Sequence, residues 1–569
     1  MGPDATGERN LLYFSFNQAG APLFLVAVDP DTGDAKQYGA PEGPGAWALI
    51  LGPDDRIYLG TWDGGLILRF DPRQPERGIE LVGRPSPTES YIWQFANGRD
   101  GKIYGCTYPQ AKLVSYDPVS AEMRDLGRMD ETQMYARSVA AGPNGKIYVG
   151  IGYERPNIVV YDPATGQHRP LLPDTYRAKA GVGMVTTGPD GKVYATAGGQ
   201  DFRIDDETLV PIAAADVPST PPLRLRDGRT VAAIGDGTYS LRDPESGETV
   251  RRTFEYQGAG SFIFVVGVGP GGRIYGSTAL PLEMFVYDPA AGESRHLGNP
   301  TSVGGELYSL VDWHGLLYVC AYPGSWLSVY DPAKPWNYGT QPDSNPRGFG
   351  RLGDGHLRPR AMIVGPGDRL YIGSFPPYGE LGGAMAVFDP VAGKVVENYR
   401  NLIPNQSISA LAYEERSGLV IGGSSIIGGG GSTPTEKEAH LFTWDADRKQ
   451  TVANIIPTPG DAAVVALAAL DGKVFAATEP SHTLLVYDAL HRTVVQRTTV
   501  PFGAVHEISL GTHDGLIWGL AGNAIFSVDP ATLELTKVAE YKDGITRGFA
   551  LTDTGIYFGS RVHLVRYRW

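Results

Sequence analysis

Residues 142–163 read GPNGKIYVGIGYERPNIVVYDP. The stretch holds one strand-turn-strand unit. Gly142-Pro143-Asn144-Gly145 makes a tight turn, since Pro presets φ and Gly takes the position that needs φ > 0. Lys146-Ile147-Tyr148-Val149 has the β-branched and aromatic content of a strand. The loop segment GYERPN interrupts it, a second strand runs to Tyr161, and Asp162-Pro163 opens the next turn, DPATGQ. SVAAG lies just before the unit and reads as a small apolar strand. A polar edge strand following DPATGQ makes four strands, with the period-2 pattern of elements that pack on one side.

The unit repeats. GPDDRIYLGTWDGGLILRFDP starts at Gly52, GPGGRIYGSTALPLEMFVYDP at Gly269 and GPGDRLYIGSFPPYGELGGAMAVFDP at Gly365. Weaker copies start near Asp100, Gly188, Asp227, His314, Arg416, Asp471, Asp514 and Asp553, and LLYFSF…LFLVAVDP begins the series. About thirteen copies recur every 45 residues or so. Four-stranded repeats of this period predict an all-β chain of propeller blades. Thirteen exceed one ring of 4 to 8 blades, so tandem β-propellers in two rings of six or seven are expected. Asn299-Pro300 is the expected seam, giving a first propeller at 1–300 and a second at 301–569. The first copy lacks an inner strand and the last an outer one, which raises an exchange of strands between the termini. Copies about five blades apart are the most alike: YARSVAAGPNGKIYVG matches RPRAMIVGPGDRLYIG, and Cys106 matches Cys320 in context.

Composition narrows the function. Lys plus Arg is 49 and Asp plus Glu 63, a formal charge of −14, so a nucleic-acid partner, which needs a basic face, is not expected. Two cysteines cannot make a disulfide framework, and each is expected to be a buried strand residue. No window approaches the ~18 apolar residues of a membrane span. MGPDATGERN has no apolar signal core. The chain as it stands therefore reads as cytoplasmic, or as secreted or periplasmic if a leader was removed. Oligomeric state is left open.

The repeat resembles the YVTN/NHL-like superfamily of propellers, which includes the virginiamycin B lyase type, and it is similar to the propeller-shaped polysaccharide lyases. The resemblance covers nearly the whole chain and implies the fold; by itself it assigns no function.

In such propellers the loop between the second and third strands and the loop entering the innermost strand share the ligand-bearing face. Loops of the first kind offer Tyr108 and Lys112, Tyr153, Glu154 and Arg155, Tyr322 and Trp326, Tyr378 and Glu380, and Glu479 and His482. Aromatic rings stack on sugars and keep a polar edge for hydroxyls. Entries to inner strands offer Tyr91 and Trp93, Tyr135 and Arg137, Glu306 and Tyr308, His356, Arg358 and Arg360, His506 and Glu507, and Arg547. Charge at the mouth of an apolar strand calls for a partner or a ligand.

The chief expectation is a lyase acting on a uronate-containing oligo- or polysaccharide by β-elimination. Arg360 and Arg547 would neutralise the carboxylate, and His506 and Tyr378 would serve as base and acid. Arg137, Tyr135, Tyr308, Tyr322, Trp326, Arg358, Glu380, Glu436, Glu438 and His482 would bind substrate. One alternative is a glycoside hydrolase using a carboxylate pair from Glu380, Glu436, Glu438 or Glu507. The other is a non-catalytic propeller that binds a glycan or a protein. No cofactor is expected; the divalent-metal candidates are Glu436, Glu438 and His440, which alternate along one extended segment. GGSSIIGGGGSTPTEKEAH (422–440) is the longest loop of its class. Four glycines leave the backbone many conformations, so residues 426–438 are expected to form a mobile flap.

Overall fold

The computed structural model describes every residue except 9, 17–21, 179–180, 220–221 and 236. It is all-β: thirteen antiparallel blades, six in a unit spanning Met1–Gly260 and seven in a unit spanning Ser261–Trp569. Within most blades the strands pair in chain order, from the innermost outwards. Two blades of the second unit, Ser407–Ile455 and Ala463–Thr499, join as one sheet through the pair Ser425 and Ala463.

The motif is explained by what its residues touch. In the strong copies the tyrosine ring of the Ile-Tyr strand packs against the glycine that opens the turn. A Cβ on Gly52 would stand 2.5 Å from the Tyr58 ring, and one on Gly142 2.7 Å from the Tyr148 ring. Only glycine leaves room. The buried hydroxyl then needs a partner, and the turn supplies it: Tyr58 donates to Asp54 at 2.8 Å and Tyr104 to Asp100 at 2.8 Å, while Asn144 donates to Tyr148 at 3.0 Å. The basic residue before Ile-Tyr pairs with the aspartate of Asp-Pro, as in Lys146–Asp162 at 2.7 Å, Arg56–Asp71 at 2.9 Å and Arg273–Asp288 at 2.8 Å. The two halves of the repeat are thus stitched across one blade.

The seam falls at residues 260/261 and not at Asn299-Pro300. The blade containing Phe262–Gly269 closes the second ring: Ile263, Val266 and Ile274 pack on Ala550 and Tyr557 of the last blade. The first ring closes separately, with Leu12 and Phe24 packed on Leu225 and Tyr239, and Arg229 paired with Asp31 at 2.6 Å. Among the described residues each sheet draws its strands from one unit, with no exchange of strands between the termini. The first blade's inner strand is Gly2–Pro3, and the last blade ends at its third strand, His563–Tyr567. Cys106 and Cys320 are buried free thiols, and burial pushes Cys106 up to about 12.

One irregularity positions the channel residues. Most inner strands carry a β-bulge, an extra residue that re-aims a side chain. Trp47, Trp93 and Arg137 occupy it in the first propeller; Phe264, Tyr308 and Arg360 do so in the second. On Val505–His513 the bulge is larger: His506, Glu507, Ile508 and Ser509 stand opposite the single Leu520. Ile508 takes φ 55° there, a costly conformation for a β-branched residue. Ser509 pins the loop by donating to His506 O at 2.7 Å.

Candidate functional site

Inner strands from five blades of the second propeller surround a cavity of about 470 Å³. Phe264, Tyr308 and Arg360 reach it from bulge positions, and the enlarged bulge contributes His506, Glu507 and Ile508. Arg547 reaches it from the mouth of the last blade. The sequence-predicted Arg360, Arg547, His506 and Tyr308 therefore converge.

Charge is organised around Glu507. Its Oε2 accepts from Arg360 Nη1 and, at 3.2 Å, from Arg547 Nη2. The Arg360 side chain is 17% exposed and Glu507 48%. Arg360 spans Tyr308 and Phe375, its guanidinium 4.9 and 5.0 Å from the ring centres, and its buried Nε has no partner. Arg547 lies 4.3 Å from the centre of the Phe264 ring. Beside them, Arg358 donates to Tyr378 Oη at 2.9 Å, and Tyr378 shares a 2.6 Å hydrogen bond with Tyr322. Burial works against the Arg358 charge, but the neighbouring Tyr378, Tyr308 and Tyr322 more than offset it, so its pKa is raised. Burial likewise holds the Glu306 carboxyl above the usual carboxylate range, although Arg358, Arg547 and Arg360 pull it down. Among the described residues the Glu306 side chain makes no ion pair or hydrogen bond. His506 Nε2 lies 2.7 Å from Gly522 O; a carbonyl only accepts, so this nitrogen carries the proton and Nδ1 is the free acceptor of the neutral ring.

Other candidates have structural employment. Glu380 pairs with Arg400 at 2.7 Å, and His482 with Glu479 at 3.3 Å. Trp326 lies against Gly348 of the outer strand Arg347–Arg351. Glu436 accepts from Asn405 at 3.0 Å, Glu438 from Gly460 N at 2.9 Å, and His440 Nδ1 lies 2.8 Å from Asn454 Oδ1. These three do not converge, and among the described residues no His, Cys, Asp and Glu group could hold a metal ion.

The glycine run is docked rather than free. Gly379 N donates to Gly430 O and Gly429 N to Glu380 O, both at 2.9 Å. A Cβ on Gly429 would fall 1.7 Å from Pro377 O, and one on Gly430 2.9 Å from the Tyr378 ring. The glycines serve a close approach of two loops and back Tyr378.

His356 is a core residue: its ring bridges Ser374 Oγ at 2.7 Å and Asn398 Oδ1 at 3.0 Å, and burial lowers its pKa to about 4. Arg137 and Tyr135 belong to the first propeller, where Arg137 lies 4.1 Å from the centre of a Trp93 ring. Phe264 and Trp47 were not singled out from the sequence. The signal for Trp47 is a four-residue phrase, apolar–X–small–apolar, in which X takes the bulge: AWAL, ARSV, LYSL, PRAM; Phe264, in IFVV, departs from it.

No family model and no curated protein matches the chain. Among solved structures it is similar to the extracellular domain of the putative one component system BT4673 from B. thetaiotaomicron, at 12% identity and TM-score 0.40, over 96% of this chain and 68% of that one. It is also similar to the extracellular domain of the putative hybrid two component system BT4673 from the same organism, at 12% identity and TM-score 0.40, over 100% and 82%. Among the described residues no helix is long and apolar enough to cross a membrane.

Proposed function

We propose that the chain is a non-catalytic binding propeller, and that the channel of its second ring takes a ligand bearing a carboxylate, with a uronate-type sugar as the best chemical fit. The observation that carries this reading is the clamp of Arg360 and Arg547 on one carboxylate, Glu507. A guanidinium pair converging on a carboxylate is a carboxylate receptor whose seat the chain itself occupies. Glu507 is half exposed on a strained bulge, so a ligand carboxylate can replace it at modest cost. Phe264 and Tyr308 line the same cavity, each with a guanidinium over its ring, and add apolar wall beside the arginines.

The same contacts argue against β-elimination. A lyase needs the arginines to neutralise its substrate, and its substrate would first have to displace Glu507 from them, as any carboxylate ligand would. Tyr378, the expected partner of His506 in proton transfer, is engaged with Arg358 and Tyr322 and lies outside the cavity lining.

One observation favours a second reading, hydrolysis by a carboxylate pair: Glu306, whose pKa burial raises above the usual carboxylate range, belongs to the same arginine cluster as Glu507, which Arg360 and Arg547 hold.

Calorimetric titration with oligogalacturonides, run beside assays for unsaturated product and for new reducing ends, tests all three. Binding without product supports the receptor. Unsaturated product that disappears in Arg360→Ala restores the lyase, and reducing ends that disappear in Glu306→Gln establish the hydrolase.

A further inference from the structure

The first propeller repeats the constellation without the acid. Its bulge positions carry Trp47, Trp93 and Arg137 on three consecutive blades. The Arg137 guanidinium lies 4.1 Å from the centre of a Trp93 ring and 5.9 Å from one of Trp47, and the two tryptophans meet edge-on at 4.1 Å. Tyr91, Tyr108 and Tyr135 continue the aromatic arc, with Tyr91–Tyr108 at 4.9 Å and Tyr108–Tyr135 at 4.4 Å. Among the described residues Arg137 makes no hydrogen bond and no ion pair; its contacts are to ring faces.

The chemistry of that arrangement is directional. An aromatic face covers the flat side of a guanidinium and leaves its in-plane N–H donors unused. Those donors form a fork that matches a carboxylate. A charge beside apolar rings and half removed from water favours an anionic partner over continued hydration. Trp93 is 8% exposed and its Nε1 has no acceptor, so the wall of the site also holds an unsatisfied donor.

We infer that the channel of the first propeller is a second carboxylate-binding site, centred on the Arg137 guanidinium and walled by Trp47, Trp93 and the adjoining tyrosines. It takes a small carboxylate whose body has an apolar face, such as a uronic acid; among the described residues no carboxylate pairs with Arg137, where Glu507 pairs with the arginines of the second channel. The inference stands apart from the proposed function, because no residue of the second ring enters it.

The test is fluorine NMR on the full chain labelled with 5-fluorotryptophan, with the two signals assigned by Trp47→Phe and Trp93→Phe and with D-glucuronate as the probe. Glucuronate is expected to shift both signals saturably, and glucose is not. Arg137→Gln is expected to weaken the response about tenfold or more, as the loss of a charge-assisted hydrogen-bond pair implies, and Arg137→Lys to retain part of it. Arg360→Gln is expected to leave these shifts intact, which separates this site from the second ring. Unmoved signals at high glucuronate, equal shifts with glucose, or an unchanged titration in a folded Arg137→Gln protein would overturn the inference.

Discussion

The two channels are built on one plan. Three consecutive blades present aromatic, aromatic, arginine at the bulge: Trp47, Trp93, Arg137 in the first ring and Phe264, Tyr308, Arg360 in the second. The differences lie one step outward. Where the first ring has Tyr91 and Tyr135 two residues before Trp93 and Arg137, the second has Glu306 and Arg358. The enlarged bulge adds Glu507. The repeat thus sets where a side chain enters the channel, and strand-mouth residues set the charge it meets there. Arginine is stacked and uncompensated in one ring, stacked and neutralised in the other.

The strongest way to break this comparison is to remove the second ring's arginines. Arg360→Ala with Arg547→Ala should lower uronate affinity about 100-fold, the scale of two charge-assisted hydrogen bonds lost together. Calorimetry on the folded variant checks it. Affinity within a factor of two of wild type would mean that the pair serves only to hold Glu507.

A stability difference of similar size separates the equivalent mouth positions Gln133 and His356. Buried Gln133 accepts backbone N–H groups of Glu154 and Arg155 at 3.2 and 3.1 Å and carries no titratable group. His356 is equally buried, and burial lowers its pKa to about 4. A histidine whose folded pKa is depressed stabilises the fold fully above its unfolded pKa of about 6.5. That contribution is lost as pH falls from about 6.5 towards 4, because the unfolded chain takes up the proton first. At pH 4.5 the loss amounts to roughly 2–3 kcal/mol. Urea unfolding of wild type and His356→Gln at pH 7 and pH 4.5 should show the variant losing that much less. Equal acid losses would place the sensitivity elsewhere.

Glu507→Gln probes the seat itself. If Glu507 occupies the place of a ligand carboxylate, removing its charge should raise glucuronate affinity in the second ring about tenfold. Weaker binding would show that Glu507 orients the arginines instead of blocking them. Either outcome sharpens the contrast with Arg137, which has no such occupant.

Much of this was legible in the sequence because the repeat repeats its reasons. Gly52 and Gly142 mark where a tyrosine ring packs, and Lys146 with Asp162 marks a stitch across one blade. The bulge leaves a trace in AWAL and LYSL that becomes readable only once strand pairing shows which residue has no partner. Arg360, Arg547 and His506, grouped from the sequence with Tyr378, line one cavity together with Tyr308, whereas Tyr378 lies outside its lining. Three things did not follow. The seam could not, because ring closure rests on Ile263 packing against Ala550, which are 287 positions apart and carry no local signal. The neutralisation by Glu507 depends on how far a bulge protrudes. The role of the glycine run was misread because glycine signals freedom and close approach alike, and only Pro377 O at the would-be Cβ of Gly429 separates them.

The smallest expected effect concerns that loop. Glu436 and Glu438 lie outside the lining of the second channel; each accepts a hydrogen bond that ties one surface loop to another. Such a bond to a half-buried carboxylate contributes only about 0.5–1.5 kcal/mol. Glu436→Gln keeps an acceptor for Asn405 and removes only the charge, so the change in stability should stay within about 0.5 kcal/mol. Uronate affinity should not change measurably. Gly429→Ala is the informative companion, since its methyl would meet the carbonyl of Pro377 and part the two loops that back Tyr378. Tyr378 holds Arg358 at the edge of the second channel, so displacing it should weaken uronate binding where Glu436→Gln does not. A Gly429→Ala protein that binds as well as wild type would show that the loop is packing alone. A Glu436→Gln protein that binds several-fold worse would return the acidic segment to the ligand.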